Sequence, residues 1–184
     1  MPFRAFIAVD VDAPTRLADL KRGLGESGAS LKLVDLENIH LTLKFLGDTD
    51  EGLVENIAEI MKSSIEGVEP FTMELAGTGV FPNPNYMKVI WVGLVNADPL
   101  VAVAKTLDNE ISKLGFKREK RGFHPHITVA RVKGPRKKNQ LQQILKDYRD
   151  EVFGTQRVDC IKLKKSVLSR EGPTYSTVEE VKFG

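Results

Sequence analysis

Two short stretches, His40-Leu41-Thr42-Leu43 and His126-Ile127-Thr128-Val129, repeat one pattern of chemically able side chains. In an extended strand residues i and i+2 point the same way. Each stretch therefore presents an imidazole and a hydroxyl on one face and two aliphatic residues on the other. If both strands line one groove, it holds two imidazoles, two hydroxyls and no nucleophile beyond water. That set suits phosphodiester chemistry. A neutral imidazole removes a proton from the attacking oxygen and a charged one protonates the leaving oxygen, each transfer typically worth ~10²–10⁴-fold in rate. Histidine serves both roles because its ordinary pKa, about 6.5, leaves both forms populated near neutrality. The threonine hydroxyls would donate hydrogen bonds to the non-bridging phosphate oxygens.

A single His-x-Thr on a half-buried strand is ordinarily a packing or surface feature. What sets these two apart is placement. Phe6 to His40 spans 34 residues and Val92 to His126 also 34, while His40 to Phe71 spans 31 and His126 to Val158 spans 32. These offsets predict a duplication in which each copy carries one motif strand, the two strands meeting about a pseudo-two-fold axis.

Apolar periodicity supplies the elements that must position the motifs. Strands are predicted over Phe3–Val9, Leu31–Val34, Ile39–Leu46, Phe71–Leu75, Val89–Val95, His126–Val132 and Val158–Leu168. Helices are predicted over Thr15–Leu24, Gly52–Ile65, Pro99–Leu114 (capped by Asp98 and stopped by Gly115) and Lys138–Tyr148. The Gly/Pro/Asn-rich stretch Gly77–Asn85 reads as a loop. The expected fold is α+β within 1–184, made of two interleaved, similar lobes. Antiparallel-rich sheets would line a central cleft with helices outside.

Charge is unevenly spread. Between Lys113 and Lys138 ten basic side chains face Glu119 alone, a local +9 on a chain of net charge +2, which leaves −7 elsewhere. Such a block suits a polyanion or a solvated loop. Within it Arg118, Lys120 and Arg121 precede the second motif and are candidates for phosphate contact. No apolar run approaches the roughly 20 residues that cross a bilayer, and Asp10 interrupts the N-terminus before a signal-peptide core forms. The expectation is a cytoplasmic protein without membrane contact. The lone Cys160 alternates with Val158 and suits a buried structural thiol.

Rival sites can be weighed. His40, His124 and His126 could in principle hold zinc, but threonine is a poor zinc ligand and its repeat after each histidine would go unexplained. His124 shares the alternation of His126, yet Pro125 between them marks the strand start, so His124 reads as a rim residue. Phe81 in the turn-rich segment could stack on a base or plug the core. Glycine-rich nucleotide signatures are absent.

Longer stretches extend the pattern: Phe6-Ile-Ala-Val-Asp10, Glu37-Asn-Ile-His-Leu-Thr-Leu-Lys-Phe-Leu-Gly47, Gly79-Val-Phe-Pro-Asn-Pro84, Val89-Ile-Trp-Val-Gly-Leu94, His124-Pro-His-Ile-Thr-Val-Ala-Arg131 and Gly172-Pro-Thr-Tyr175. Over nearly its whole length the chain resembles the two-histidine (2H) phosphoesterases, in the RNA 2′,3′-cyclic phosphodiesterase branch historically called 2′–5′ RNA ligases. The resemblance implies a metal- and cofactor-independent hydrolase that opens a terminal 2′,3′-cyclic phosphate to a 2′-phosphomonoester. It makes His40 the proton donor to the departing 3′ oxygen, His126 the base for water, and Thr42 and Thr128 the phosphate holders. It often places a basic residue at Arg131, although strict alternation points that side chain away unless a bulge re-aims it. Tyr175 reaches the site on the same analogy. The implied partner is an RNA end such as a tRNA fragment, met by a monomer. A 2′–5′ ligase joining RNA halves is one alternative. A non-catalytic RNA-end binding module using the groove and the basic block is another.

Overall fold

The computed structural model describes residues 1–184 as two antiparallel sheets with four helices. The first sheet has the order β3-β1-β8-β9, with β1 Phe3–Asp10, β3 His40–Thr49, β8 Cys160–Ser169 and β9 Gly172–Lys182. The second has the order β2-β6-β5-β4-β7, with β2 Leu31–Leu33, β4 Phe71–Asn83, β5 Tyr86–Val95, β6 His126–Val132 and β7 Val152–Val158. The helices are α1 Thr15–Glu26, α2 Val54–Ser64, α3 Asp98–Ser112 and α4 Lys138–Asp147. None is long and apolar enough to cross a membrane.

Each sheet has a central strand, β1 or β5, that pairs with the strand carrying a His-x-Thr. Ala5 to Val9 of β1 are all buried, as suits a strand covered on both faces. Helices cover the outer faces by amphipathic stripes. On α3, Leu100, Val103, Ala104, Leu107 and Ile111 recur at helical spacing and are buried. That helix follows β5 of the second sheet yet packs on β3 of the first and on α2, whereas α1 follows β1 and packs on β2 and β7. One apolar cluster joins both halves through Ile7, Leu41, Leu43, Ile90, Val92, Ile127 and Val129.

The structure corrects several expectations. Gly77–Asn85 is no loop: β4 runs to Asn83 and forms a long hairpin with β5, pairing Gly79 with Trp91 and Phe81 with Val89. Its glycines, Gly77 and Gly79, are there for close approach, and Pro84 and Asn85 form the hairpin turn. A Cβ at Gly79 would lie 2.2 Å from the Trp91 ring, so only glycine lets the indole lie across the strand. The strand expected over Val158–Leu168 is β8, which starts at Cys160, while Val158 ends a separate strand, β7, that the sequence reading did not include. Strand β9, which alternation did not reveal, pairs with β8. Asp98 is the first residue of α3 rather than its cap, with Ala97 before it and no side-chain cap. Gly52 and Leu53 lie in a 3₁₀ turn ahead of α2, capped by Asp50.

The matched 34-residue offsets do not link equivalent positions either. Val9 pairs with Leu41 and Val92 with Ile127, each next to a motif histidine, so Val92 corresponds to Val9 and not to Phe6. Likewise Val158 is the cross-strand partner of Phe71, not its counterpart. The duplication is real in topology and uneven in chain length.

Candidate active site

Strands β3 and β6 belong to different sheets and lie against each other. Side chains alternate strictly at their starts. Leu41 and Ile127 are buried, while His40, Thr42, His126 and Thr128 are half-buried on the other side. Both histidines are held in the same way. The ring of His40 donates from Nδ1 to the Asn38 carbonyl (2.8 Å), and that of His126 donates from Nδ1 to the His124 carbonyl (2.6 Å). A carbonyl can only accept, so Nδ1 carries the proton in each neutral ring. That leaves Nε2 free to take or give one.

A bulge follows each motif at the same step. Ile7 pairs with Lys44 and Ala8 with Thr42, leaving Leu43 extra; Ile90 pairs with Ala130 and Trp91 with Thr128, leaving Val129 extra. The extra residue inverts the faces beyond it. Arg131, which strict alternation turns away, is thereby brought to the side of Thr128 and stands exposed. Its charge is felt by His40 and Tyr175 of the other sheet. In β3 the same shift buries Lys44 and turns Phe45 out to solvent.

Aromatic rings wedge both imidazoles. His40 meets Phe6 at 4.9 Å between centroids and Tyr175 edge-on at 5.3 Å. His126 meets Phe81 edge-on at 5.0 Å and Trp91 at 6.1 Å. Burial among these rings holds both histidines below the ordinary value of 6.5, because a charged ring loses solvation there. The carbonyl bonds oppose that shift in both. At His40 Asp10 also opposes it, while Lys164 and Arg131 reinforce it.

This geometry has counterparts among known proteins. A family model described as the 2′-5′ RNA ligase superfamily matches residues 12–165. The chain belongs to that superfamily. A relative from Methanothermobacter thermautotrophicus named RNA 2′,3′-cyclic phosphodiesterase is 39% identical over 181 residues, covering 97% of this chain and 98% of the relative. One of the same name from Thermotoga maritima is 35% identical, with 98% and 95% covered. A crystal structure of a protein from Thermus thermophilus superposes with a TM-score of 0.78 at 26% identity, covering 98% of this chain and 97% of that one. Escherichia coli LigT complexed with 3′-AMP shares the fold, with a TM-score of 0.71 at 21% identity and coverage of 100% and 99%.

The remaining sequence candidates of this superfamily member divide. Tyr175 joins His40 in a recess of about 210 Å³ with Asp10, Asn38 and Lys164. Phe81 is a wedge between Trp91 and His126 rather than a free platform. Arg118 is drawn to α3, bonded to Asn109 and 3.6 Å from Asp108. Arg121 is exposed on the connection before β6. His124 is exposed; its carbonyl accepts from His126, and its side-chain charge acts with burial to hold His126 down. No three His, Cys, Asp or Glu side chains converge on a metal-binding point. Cys160 is half-buried, its thiol pushed up to about 11 chiefly by burial, so it stays protonated at neutral pH.

Residue-by-residue reading missed one group. Asp10 pairs across the ladder with His40, and its carboxylate bonds Lys162 (2.8 Å) and Lys164 (3.0 Å) from β8. Gly93 holds the corresponding place beside His126, so the charge cluster exists on one side only. Its signal was available: Lys162 and Lys164 alternate with the buried Ile161 and Leu163.

Proposed function

We propose that this protein is an RNA 2′,3′-cyclic phosphodiesterase that hydrolyses a terminal cyclic phosphate to a 2′-phosphomonoester. The observation that carries the reading is the pair of adjoining strands β3 and β6, each presenting a half-buried imidazole anchored through Nδ1, with a threonine two residues on. In this mechanism Nε2 of neutral His126 takes a proton from water as the water oxygen bonds to phosphorus. The bond from phosphorus to the 3′ oxygen breaks, and His40 delivers its Nε2 proton to that oxygen. Thr42 and Thr128 donate to the non-bridging oxygens, and Arg131 balances their charge. The names of the relatives from Methanothermobacter thermautotrophicus and Thermotoga maritima support the substrate class. The recess beside His40, with Tyr175 and Lys164 on its wall, gives room for the ribose that bears the phosphate.

The superfamily description also supports a second use of the same groups, with a ribose hydroxyl of another RNA end in place of water, which forms a 2′–5′ bond. The deciding experiment incubates the protein with a nucleoside 2′,3′-cyclic phosphate, with and without a strong chelator, and identifies the product isomer. The 2′-monophosphate is expected in both arms. A 3′-monophosphate would overturn the assignment of the leaving oxygen, no turnover would favour a binding module, and loss with chelator restored by zinc would favour a metal site.

A further inference from the structure

Lys32 of β2 lies directly across the ladder from Arg131 of β6, and both side chains are exposed. Like charges set opposite one another on neighbouring strands are destabilising. No carboxylate relieves this pair, since neither residue enters an ion pair. An anionic ligand would relieve it. Arg131 stands beside Thr128 at the cleft, so Lys32 carries the positive charge outward over the second sheet, past the phosphate that the threonines hold.

The same face ends in a ring. Phe81 touches His126 and so marks the cleft face of the β4–β5 hairpin. Asn83 follows it by two and pairs with Tyr86, which puts Tyr86 on that face. Lys88 is left extra between the pairs Phe81–Val89 and Pro82–Met87, and its ammonium sits 5.3 Å from the centre of the Tyr86 ring. Tyr86 is nonetheless 61% exposed. Its amide donates to Asn83 Oδ1 (2.9 Å). Helix α4 grips the tip from the opposite side, where Met87 is buried and Gln142 donates to the Pro84 carbonyl (2.8 Å). One side of the tip is thus clamped, and the other offers an aromatic ring beside a cation.

Fixed rings along a positively charged groove hold single-stranded nucleic acid, the ring stacking on a base and the cations meeting the backbone. We propose that Lys32 and Tyr86 bind the RNA strand upstream of its cyclic end. Lys32 meets the phosphodiester before the terminal nucleotide, and Tyr86, steadied by Lys88, stacks on the base of a preceding one. Gly79, level with Trp91 and Thr128, and Asn83, level with Tyr86, are four residues apart on β4. That is roughly 13 Å at ~3.3 Å per residue, a span that suits an upstream nucleotide better than the one bearing the cyclic phosphate. The proposal rests on the phosphodiesterase reading above and adds to it a preference for oligonucleotide over mononucleotide ends.

The test compares wild type, Tyr86→Leu and Tyr86→Trp on a nucleoside 2′,3′-cyclic phosphate and on a tetranucleotide that ends in one. Leucine removes the π face, so KM for the tetranucleotide should rise roughly fivefold to a hundredfold with kcat little changed. The mononucleotide does not reach the hairpin tip, and its kinetic constants should stay as in wild type. Tryptophan should restore KM, and its emission should be quenched by the tetranucleotide 3′-monophosphate beyond any change at Trp91, the lone tryptophan of wild type. Lys32→Ala should flatten the log–log salt dependence of tetranucleotide affinity by about 0.7. An unchanged tetranucleotide KM in Tyr86→Leu, an equal rise for the mononucleotide, or an unchanged slope in Lys32→Ala would overturn the proposal. If wild type turns over neither substrate, the phosphodiesterase reading falls, and quenching in Tyr86→Trp still decides whether the strand crosses the hairpin.

Discussion

Lys44 places its ammonium 2.7 Å from the carboxylate of Asp108, and only 1% of its side chain is exposed. The same ammonium donates to the Lys117 carbonyl (2.6 Å), and the Asp108 carboxylate accepts from the Glu119 amide (2.9 Å). One buried charge thus ties β3, which carries His40, to the connection that leads into His126.

Removing one partner of such a pair leaves the other charge buried and unmatched, which typically costs about 3–5 kcal/mol. Asp108→Leu, which strands the buried Lys44 ammonium, is therefore expected to be strongly destabilising in denaturant titration, and Lys44→Met less so because Asp108 keeps Arg118 and some solvent. Replacing both as Lys44→Met with Asp108→Leu should recover much of the loss. A single variant as stable as wild type would mean that the pair is not held together in solution.

Salt dependence tests the basic block. Two of its charges are already engaged, Lys113 with Glu110 and Arg118 with Asp108, whereas Arg121 and Lys137 are exposed. Each phosphate contact adds a slope of about −0.7 for single strands in log affinity against log salt. Arg121→Ala or Lys137→Ala should flatten the slope for a longer RNA by about that amount if the residue meets a phosphate. Unchanged slopes in both variants would make this stretch a solvated surface.

The alternation of His40-Leu-Thr and His126-Ile-Thr was enough to predict which side chains share a face, because nothing interrupts the ladder there. Three residues later that logic fails. The bulges at Leu43 and Val129 leave no mark in residue type, yet they decide that Lys44 is interior and Arg131 faces the cleft. Gly79 and Pro82 misdirected the reading of β4, since a glycine chosen to admit the Trp91 ring looks like a turn residue. Asp10, Lys162 and Lys164 converge only through strand order, as β1 and β8 are joined across most of the chain. Side-chain chemistry close to a motif is local, whereas the charges around it depend on topology.

The pH profile follows from the surroundings of the two rings. In the free protein burial holds both below 6.5, and catalysis needs one charged and one neutral. The bell in kcat/KM should therefore centre below pH 6.5, its alkaline limb marking loss of the acid's proton and its acidic limb protonation of the base. The bell in kcat should lie higher, because bound phosphate favours the charged rings. The limbs belong to the pair rather than to either residue alone. Asp10→Asn removes a negative charge that favours charged His40 and frees Lys164 to oppose it, so the alkaline limb should move further down in pH. A shift upward would contradict the electrostatic picture.

The last prediction concerns the division of labour among the side chains of the cleft. His40→Ala and His126→Ala should each cost at least ~10²-fold in kcat, since each removes a proton transfer that water replaces poorly. Both rings are half-exposed on the cleft side, so melting temperatures should change little beside that loss. Thr42→Ala or Thr128→Ala removes one hydrogen bond to a charged group, worth ~1.5–3 kcal/mol, or roughly ten- to a hundredfold in rate. His124→Ala should be mild for a structural reason. Its contact with His126 is made by the backbone carbonyl, which alanine retains, and Asn38 plays the identical part for His40 with a different side chain. Pro at either position would be the harsher change, because it alters the backbone that aims the carbonyl while leaving the motif intact. Steady-state kinetics on a cyclic nucleotide, with circular dichroism to confirm folding, would rank the series. If His124→Ala proved as damaging as His126→Ala in well-folded proteins, the ring of His124 would have to take part, and the equivalence between the two motif strands would not extend to their chemistry.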